Sequence, residues 1–409
     1  MLTLEPAKRP RAGKARLAIA LAGGGPLGFY YELGALHALG EAIEGRDLTQ
    51  YDVYVGVSSG SLIAAALAGG FDTTAMGTMF VRDESTLYPF SPLILLQPAL
   101  REYLHRLEQL PRVVAAIVRQ CTRDPRGSGW SAGIGALGRL LPTAVFDNEP
   151  LRRYLERLFN SPGRSDDFRK LRAQLYVVAT NLNTGESVPF GAPGHDRVPI
   201  SRALLASTAL PGLYPAVEIG GEHFVDGALI RTMHASLALE AGCNLVICIN
   251  PLVPFDASSA PASRRLNLAD EGLPAVLGQT FRALIYSRMK VGMASYGTRF
   301  PRATTMLLEP DRHDERLFFA NIFRYTERHQ LVEHSYQRTR RDLLAQADAL
   351  GPLLERRGLR LNTRVLRDPH RTFPVPARER LHRSRNTVRR LNLALTRLES
   401  MLSIPGGTG

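Results

Sequence analysis

A buried strand that runs into a serine and out into a helix within a few residues leaves few architectures open to a chain. Tyr51-Asp52-Val53-Tyr54-Val55 is an apolar run, Gly56-Val57-Ser58-Ser59-Gly60 follows it, and Ser61 to Ala68 is a helical run of small residues. A serine flanked by glycines two residues away on each side, at a strand-to-helix turn, has the geometry of a nucleophile elbow. Gly56 and Gly60 keep side chains out where the two elements approach closely, and Ser58 is presented for attack. Taken alone the pattern is short, and in a chain with 36 glycines it also describes an ordinary loop. Its place between strand and helix is what singles it out.

The flanking segments extend the same alternation. Leu17 to Leu21 reads as a strand, followed by a glycine loop, a helix from about Gly28 to Ala42, the strand Tyr51 to Val57 and the helix Ser59 to Ala68. Such alternation predicts a parallel sheet with crossover helices. Further buried strands are predicted at Gln174 to Ala179, Leu245 to Ile249 and Thr304 to Leu308. The expected fold is therefore α/β, a central, mainly parallel sheet flanked by helices over residues 17–345. A basic tail, residues 1–16, precedes it. A Leu-, Pro- and Arg-rich helical insertion occupies residues 84–150, with a helix expected from Pro98 to Gln120. That insertion reads equally as a lid, a membrane-contacting cap or a packed helical pair. Asp256 to Leu273 reads as a mobile loop. The stripe Phe318, Ile322, Tyr325, Val332, Tyr336 and Leu343 keeps helical spacing and should pack on the sheet. No internal repeat is present.

At 409 residues the chain exceeds a typical single domain, and its 44% hydrophobic content is ordinary for a globular protein. The net charge of +13 is uneven. Arg364 to Ser400 holds ten arginines against three acidic residues. Residues 346–409 thus read as a basic helical C-terminal extension, with Leu381, Val388, Leu391, Leu395 and Leu398 as the apolar stripe of an amphipathic helix. Such a segment suits an anionic membrane surface, although a solvated basic tail fits as well; nucleic acid is not expected as a partner. Cys121, Cys243 and Cys248 cannot complete a disulfide framework and match no zinc spacing, which favours a reducing, cytoplasmic setting, with peripheral membrane association through the tail. Lys8, Arg9, Arg11, Lys14 and Arg16 precede an apolar stretch too short for a signal-peptide core, so Leu17 to Ala22 reads as the first strand. No run approaches the length of a transmembrane helix. Oligomeric state is not legible.

Gly23-Gly24-Gly25-Pro26-Leu27-Gly28 follows that first strand and opens the first helix. Consecutive glycines leave backbone N–H groups uncovered at the positive end of a helix, a cradle for developing negative charge. The same letters satisfy a dinucleotide fingerprint, which would place an acidic residue near the end of the second strand. Here Asp52 stands at that strand's start and the elbow fills its end, so an oxyanion hole fits better. A base for Ser58 is then needed. Asp226-Gly227-Ala228, after Phe224-Val225, is a tight turn that can present a carboxylate. An aspartate requires burial to become basic enough. His234, eight residues on, is the base expected of a Ser-Asp-His arrangement instead.

With GGGPLG, GVSSG and DGA in this order, the chain resembles the patatin-like phospholipase family. Ala179 to Glu186 looks like the family's segment after its third conserved strand, and Ala206 to Pro215 like the run leading to its aspartate. The resemblance covers residues 17 to about 250, more loosely to 345. It implies a Ser58–Asp226 dyad, an oxyanion hole from Gly23, Gly24, Gly25 and Gly28, support from Gly56, Gly60, Gly227 and Ala228, and no metal or cofactor. The implied substrate is a lipid ester, with glycerophospholipid favoured. Leu27 stands where many members carry Arg or Lys, and Ala228 replaces the commoner second glycine. Two rivals remain: a Ser-His-Asp esterase or thioesterase of the α/β-hydrolase type, and a non-enzymatic, membrane-associated regulatory protein.

Overall fold

The computed structural model describes residues 1–9, 15–81, 90–99, 143–230, 233–259, 267–318 and 325–374, with isolated residues between 103 and 119. Eleven strands occur in this part of the chain: β1 Leu2–Glu5, β2 Leu17–Leu21, β3 Ile43–Glu44, β4 Val53–Val57, β5 Gln174–Asn181, β6 Ser187–Phe190, β7 Val217–Ile219, β8 Glu222–Asp226, β9 Leu245–Ile249, β10 Thr304–Leu308 and β11 Arg360–Leu361. The longer helices are α1 Gly25–Ala42, α2 Ser59–Ala68, α3 Glu149–Phe159, α4 Ile200–Ser207, α5 Ala235–Glu240, α6 Leu273–Arg299, α7 Tyr325–Ala345 and α8 Ala347–Glu355.

Nine strands form one sheet in the order β1-β10-β9-β2-β4-β5-β8-β7, with β6 also on β5. The five from β10 to β5 run parallel, as the alternation of apolar strands and helices requires. Antiparallel strands close both edges. β2, β4, β9 and β10 are buried at every position, which explains their uninterrupted apolar sequences. Ala18, Ala20, Val53, Val55, Val246 and Cys248 turn one face of the sheet toward α5 and the inner side of α6. α1 and α2 pack on the sheet with α7 beyond α1, where Ser335 Oγ donates to the Tyr31 carbonyl at 2.5 Å. Buried nearly all round, α1 and α2 show little amphipathicity and rely on small residues for close approach.

Strand register sets the site. Leu21 pairs with Gly56, so the glycine loop leaves β2 beside the point where the elbow leaves β4. Val57 pairs with Val178, and the next residue of β5, Ala179, pairs with Asp226. Ser58 and Asp226 are thereby brought to one end of the sheet, as expected for open α/β sheets with the strand carboxyl ends at the crevice.

Several boundaries differ from the sequence reading. Residues 1–16 are not merely a tail, because Leu2–Glu5 adds an antiparallel edge strand to β10. The folded unit does not stop at 345: α8, β11 paired with β3, and a turn of helix at Thr363–Arg367 continue it, and a compact unit spans Met1–Pro369. The first helix starts at Gly25, not Gly28. Most of the predicted Pro98–Gln120 helix, and the whole arginine-flanked stripe from Leu381, lie outside the described residues, as does Ile322 of the other stripe.

Candidate active site

Ser58 is the only non-glycine residue with positive φ among the described residues, at φ 51° and ψ −127°. This is the strained backbone of an elbow, and the neighbouring glycines show why it is tolerated. A Cβ on Gly56 would stand 2.4 Å from Ser61 Cα, and one on Gly60 2.5 Å from the Ala22 carbonyl. Side chains at either position would drive the helix off the sheet. Ser61 secures the turn by donating its hydroxyl and its N–H to the Ser58 carbonyl at 2.6 and 2.9 Å.

The Ser58 hydroxyl donates directly to Asp226 Oδ2 at 2.6 Å. Oδ1 of the same carboxylate accepts the Ala228 N–H at 2.8 Å, so Gly227 and Ala228 hold it by a tight turn. Asp226 is 2% exposed, and burial raises its carboxyl to about pH 6 against the hydrogen bonds from Ser58 and Ala228, which pull it down. A carboxylate with that basicity is half protonated near pH 6 and ionised above it. His234 is buried at the N-cap position of α5, and neither Ser58 nor Asp226 hydrogen-bonds to it.

The glycine loop divides into two kinds of residue. Gly28 and Gly24 are expected oxyanion donors, but the Gly28 N–H donates to the Gly24 carbonyl at 3.0 Å and the Gly24 N–H to Ser59 Oγ at 3.0 Å. Both pack closely under Pro251. A helix that starts three residues early is the reason: Gly28 becomes its first hydrogen-bonded residue. Gly25, in contrast, occupies the left-handed region at φ 59° with open space where a side chain would be, and its N–H at the first helical position has no acceptor within the helix. Gly23 lies against Ser58 and Ala228, with a hypothetical Cβ 3.0 and 2.8 Å from theirs. The dinucleotide alternative fails on position, since Asp52 is at the opposite end of β4, where it accepts the Leu17 N–H at 2.8 Å and pairs with Arg46.

Ser207 was missed by sequence reasoning. Its hydroxyl accepts the Ser58 N–H at 2.9 Å and donates to the Val178 carbonyl at 2.6 Å, tying the elbow to β5. Two residues on, the Ala209 carbonyl accepts the Asp226 N–H at 3.0 Å. The block Ala206 to Pro215 thus holds both Ser58 and Asp226 by their backbones. A small hydroxyl residue just before the Leu-Pro-Gly segment was the available signal.

Ser58, Asp226 and Gly25 line a cavity of about 610 Å³, within the range of small-molecule sites. Its walls are overwhelmingly apolar, from Phe29, Phe80, Phe90, Leu151, Leu155 and Leu213 among others. A family model for patatin-like phospholipases matches residues 19–239. The chain belongs to that family. In this patatin-like chain the match takes in the glycine loop, the elbow and Asp226 together, and membership supports lipid hydrolysis as its activity. Among solved structures, VipD from Legionella pneumophila is similar at 14% identity over 85% of this chain and 80% of that one, with a TM-score of 0.30. The type III effector ExoU is similar at 18% identity over 83% of this chain and 62% of that one, with a TM-score of 0.29. ExoU with SpcU from Pseudomonas aeruginosa gives 17% identity, 73% and 54% coverage and a TM-score of 0.26. A search of curated proteins returned no significant match.

Proposed function

We propose that this protein is a serine acyl hydrolase that cleaves fatty-acyl esters of phospholipids through a Ser58–Asp226 dyad. The observation that carries the reading is the 2.6 Å hydrogen bond from Ser58 to a buried carboxylate at the wall of a large apolar cavity. Asp226 takes the Ser58 proton as Oγ attacks the ester carbonyl, then returns it to the departing alcohol. An acyl-enzyme remains. Water, deprotonated by the same carboxylate, releases the fatty acid and restores Ser58. The oxyanion is received by backbone N–H groups at the starts of α1 and α2, from Gly25 and Ser59, both at first helical positions. The apolar walls accommodate the acyl chain.

The direct contact of Ser58 with Asp226 favours a dyad over a triad, because no imidazole stands between them. The test is turnover of phosphatidylcholine and lysophosphatidylcholine by the purified protein. Ser58→Ala and Asp226→Asn are each expected to lower it by roughly a thousandfold or more while His234→Ala retains it. Loss of turnover in a folded His234→Ala protein would favour the triad. No turnover of any acyl ester by the wild type would point to the non-enzymatic alternative.

A further inference from the structure

Helix α6 carries a surface that water does not explain. None of its 27 residues is Asp or Glu, whereas Arg282, Arg288, Lys290 and Arg299 are basic. Its inner side is conventional, with Met289, Met293 and Tyr296 buried against the sheet. On another side Leu273, Leu277, Phe281, Leu284 and Val291 recur at helical spacing and are between 45% and 72% exposed. An isolated exposed leucine is ordinary; five large apolar side chains in one row are not.

The row is continuous with the active-site cavity. Phe281 belongs to both, and Gly278, Arg282 and Ile285 of the same helix line the cavity from α6. Leu210 and Leu213, in the block that holds Ser58 and Asp226, line it too and are 38% and 41% exposed. Exposed apolar side chains from α6 and from the Leu210–Leu213 turn therefore border the cavity, and the charged side chains of α6 itself are all cationic. Arg282 stacks on Phe318 and Arg299 pairs with Glu240, and the acidic Asp270 and Glu271 lie only in the turn before Leu273. Arg288 and Lys290 are exposed beside the row. An exposed apolar row flanked by these two cations matches the interface of an anionic lipid leaflet, where the chains enter the acyl boundary and the cations meet the head groups. No described helix is long and apolar enough to cross a membrane.

We infer that the exposed face of α6, with Leu210 and Leu213, docks the protein on anionic membranes and sets the cavity opening against the lipid. The biological sense of this face rests on the acyl-hydrolase reading, but docking itself does not require turnover. It is tested with full-length Ser58→Ala protein, with and without Leu277→Gln, Leu284→Gln and Val291→Gln together; these three side chains lie outside the cavity. Binding is read by co-sedimentation with vesicles of phosphatidylcholine alone or mixed with phosphatidylserine. The Ser58→Ala protein is expected to prefer the mixed vesicles, and the added triple substitution to weaken that binding by roughly tenfold or more. In a Ser58 background the triple variant is expected to keep full hydrolysis of a soluble short-chain ester. Leu284→Trp adds a direct probe, since burial in lipid shifts its emission to the blue. Unchanged vesicle binding in the triple variant, or an unshifted Leu284→Trp spectrum, overturns the inference. So does a wild-type dimer that the triple variant turns into a monomer without lipid, because the face would then serve a second copy. Intact docking by a protein that hydrolyses no ester would leave this inference standing and remove the enzymatic one.

Discussion

At the scale of single residues, the energetics turn on Asp226. Burial lifts its carboxyl from an ordinary value near 3.8 to about 6, so the folded protein holds that proton more tightly than the unfolded chain. The sign follows directly: this group favours folding below its unfolded value and loses that contribution as pH rises through about 6. At neutral pH the ionised carboxylate costs on the order of 3 kcal/mol of stability. Asp226→Asn keeps an acceptor for the Ala228 N–H and carries no charge. It is therefore expected to be more stable than the wild type at pH 7.5, with the difference closing as pH falls toward 4. Denaturant unfolding across that range checks it; a gap that does not change with pH would mean that the carboxyl titrates normally. Ser58 itself was legible because an elbow is written in local sequence, and Asp226 because a DG turn after a strand is as well. Ser207 was not, since its contribution passes through the backbone N–H of a residue 149 positions away.

At the scale of elements, the strand–turn–helix units were readable because each strand is buried on both faces and carries an unbroken apolar run. What could not be read was which glycine N–H groups remain available. That depends on where α1 begins, and a helix starting at Gly25 engages Gly28 in the helix and leaves Gly25 without an acceptor there. The two neighbouring glycines should consequently respond differently to a methyl group. Gly24→Ala places Cβ 2.5 Å from Pro251 Cγ and 2.7 Å from Gly28 Cα, and is expected to lower the melting temperature sharply. Gly25→Ala meets nothing within 4 Å and costs about 1 kcal/mol in backbone strain. It should stay folded yet lose roughly tenfold or more in ester turnover, by disturbing the proposed oxyanion donor. Normal turnover in a folded Gly25→Ala protein would place the donors elsewhere.

At the scale of the whole molecule, a parallel sheet through residue 308 was legible, while its margins were not. Leu2–Glu5 is only four residues among basic neighbours, so nothing local distinguishes an edge strand from a tail; pairing with β10 makes the difference. Residues 346–369 fall with the basic extension because the family resemblance reaches only to 345, yet Leu350, Leu353 and Leu354 are buried and Asn362 caps the last helical turn of the compact unit. That unit brings one serine and one carboxylate together from sequence positions 168 apart. The most direct test of that pairing is the pH dependence of labelling by a fluorophosphonate, with the adduct located by peptide mapping. A Ser58–Asp226 dyad gives a single adduct at Ser58, a rate that rises through a midpoint near pH 6 and levels above it, and loss of that rate in Asp226→Asn but not in His234→Ala. A rate indifferent to pH across that midpoint, or one that survives in Asp226→Asn, would contradict it.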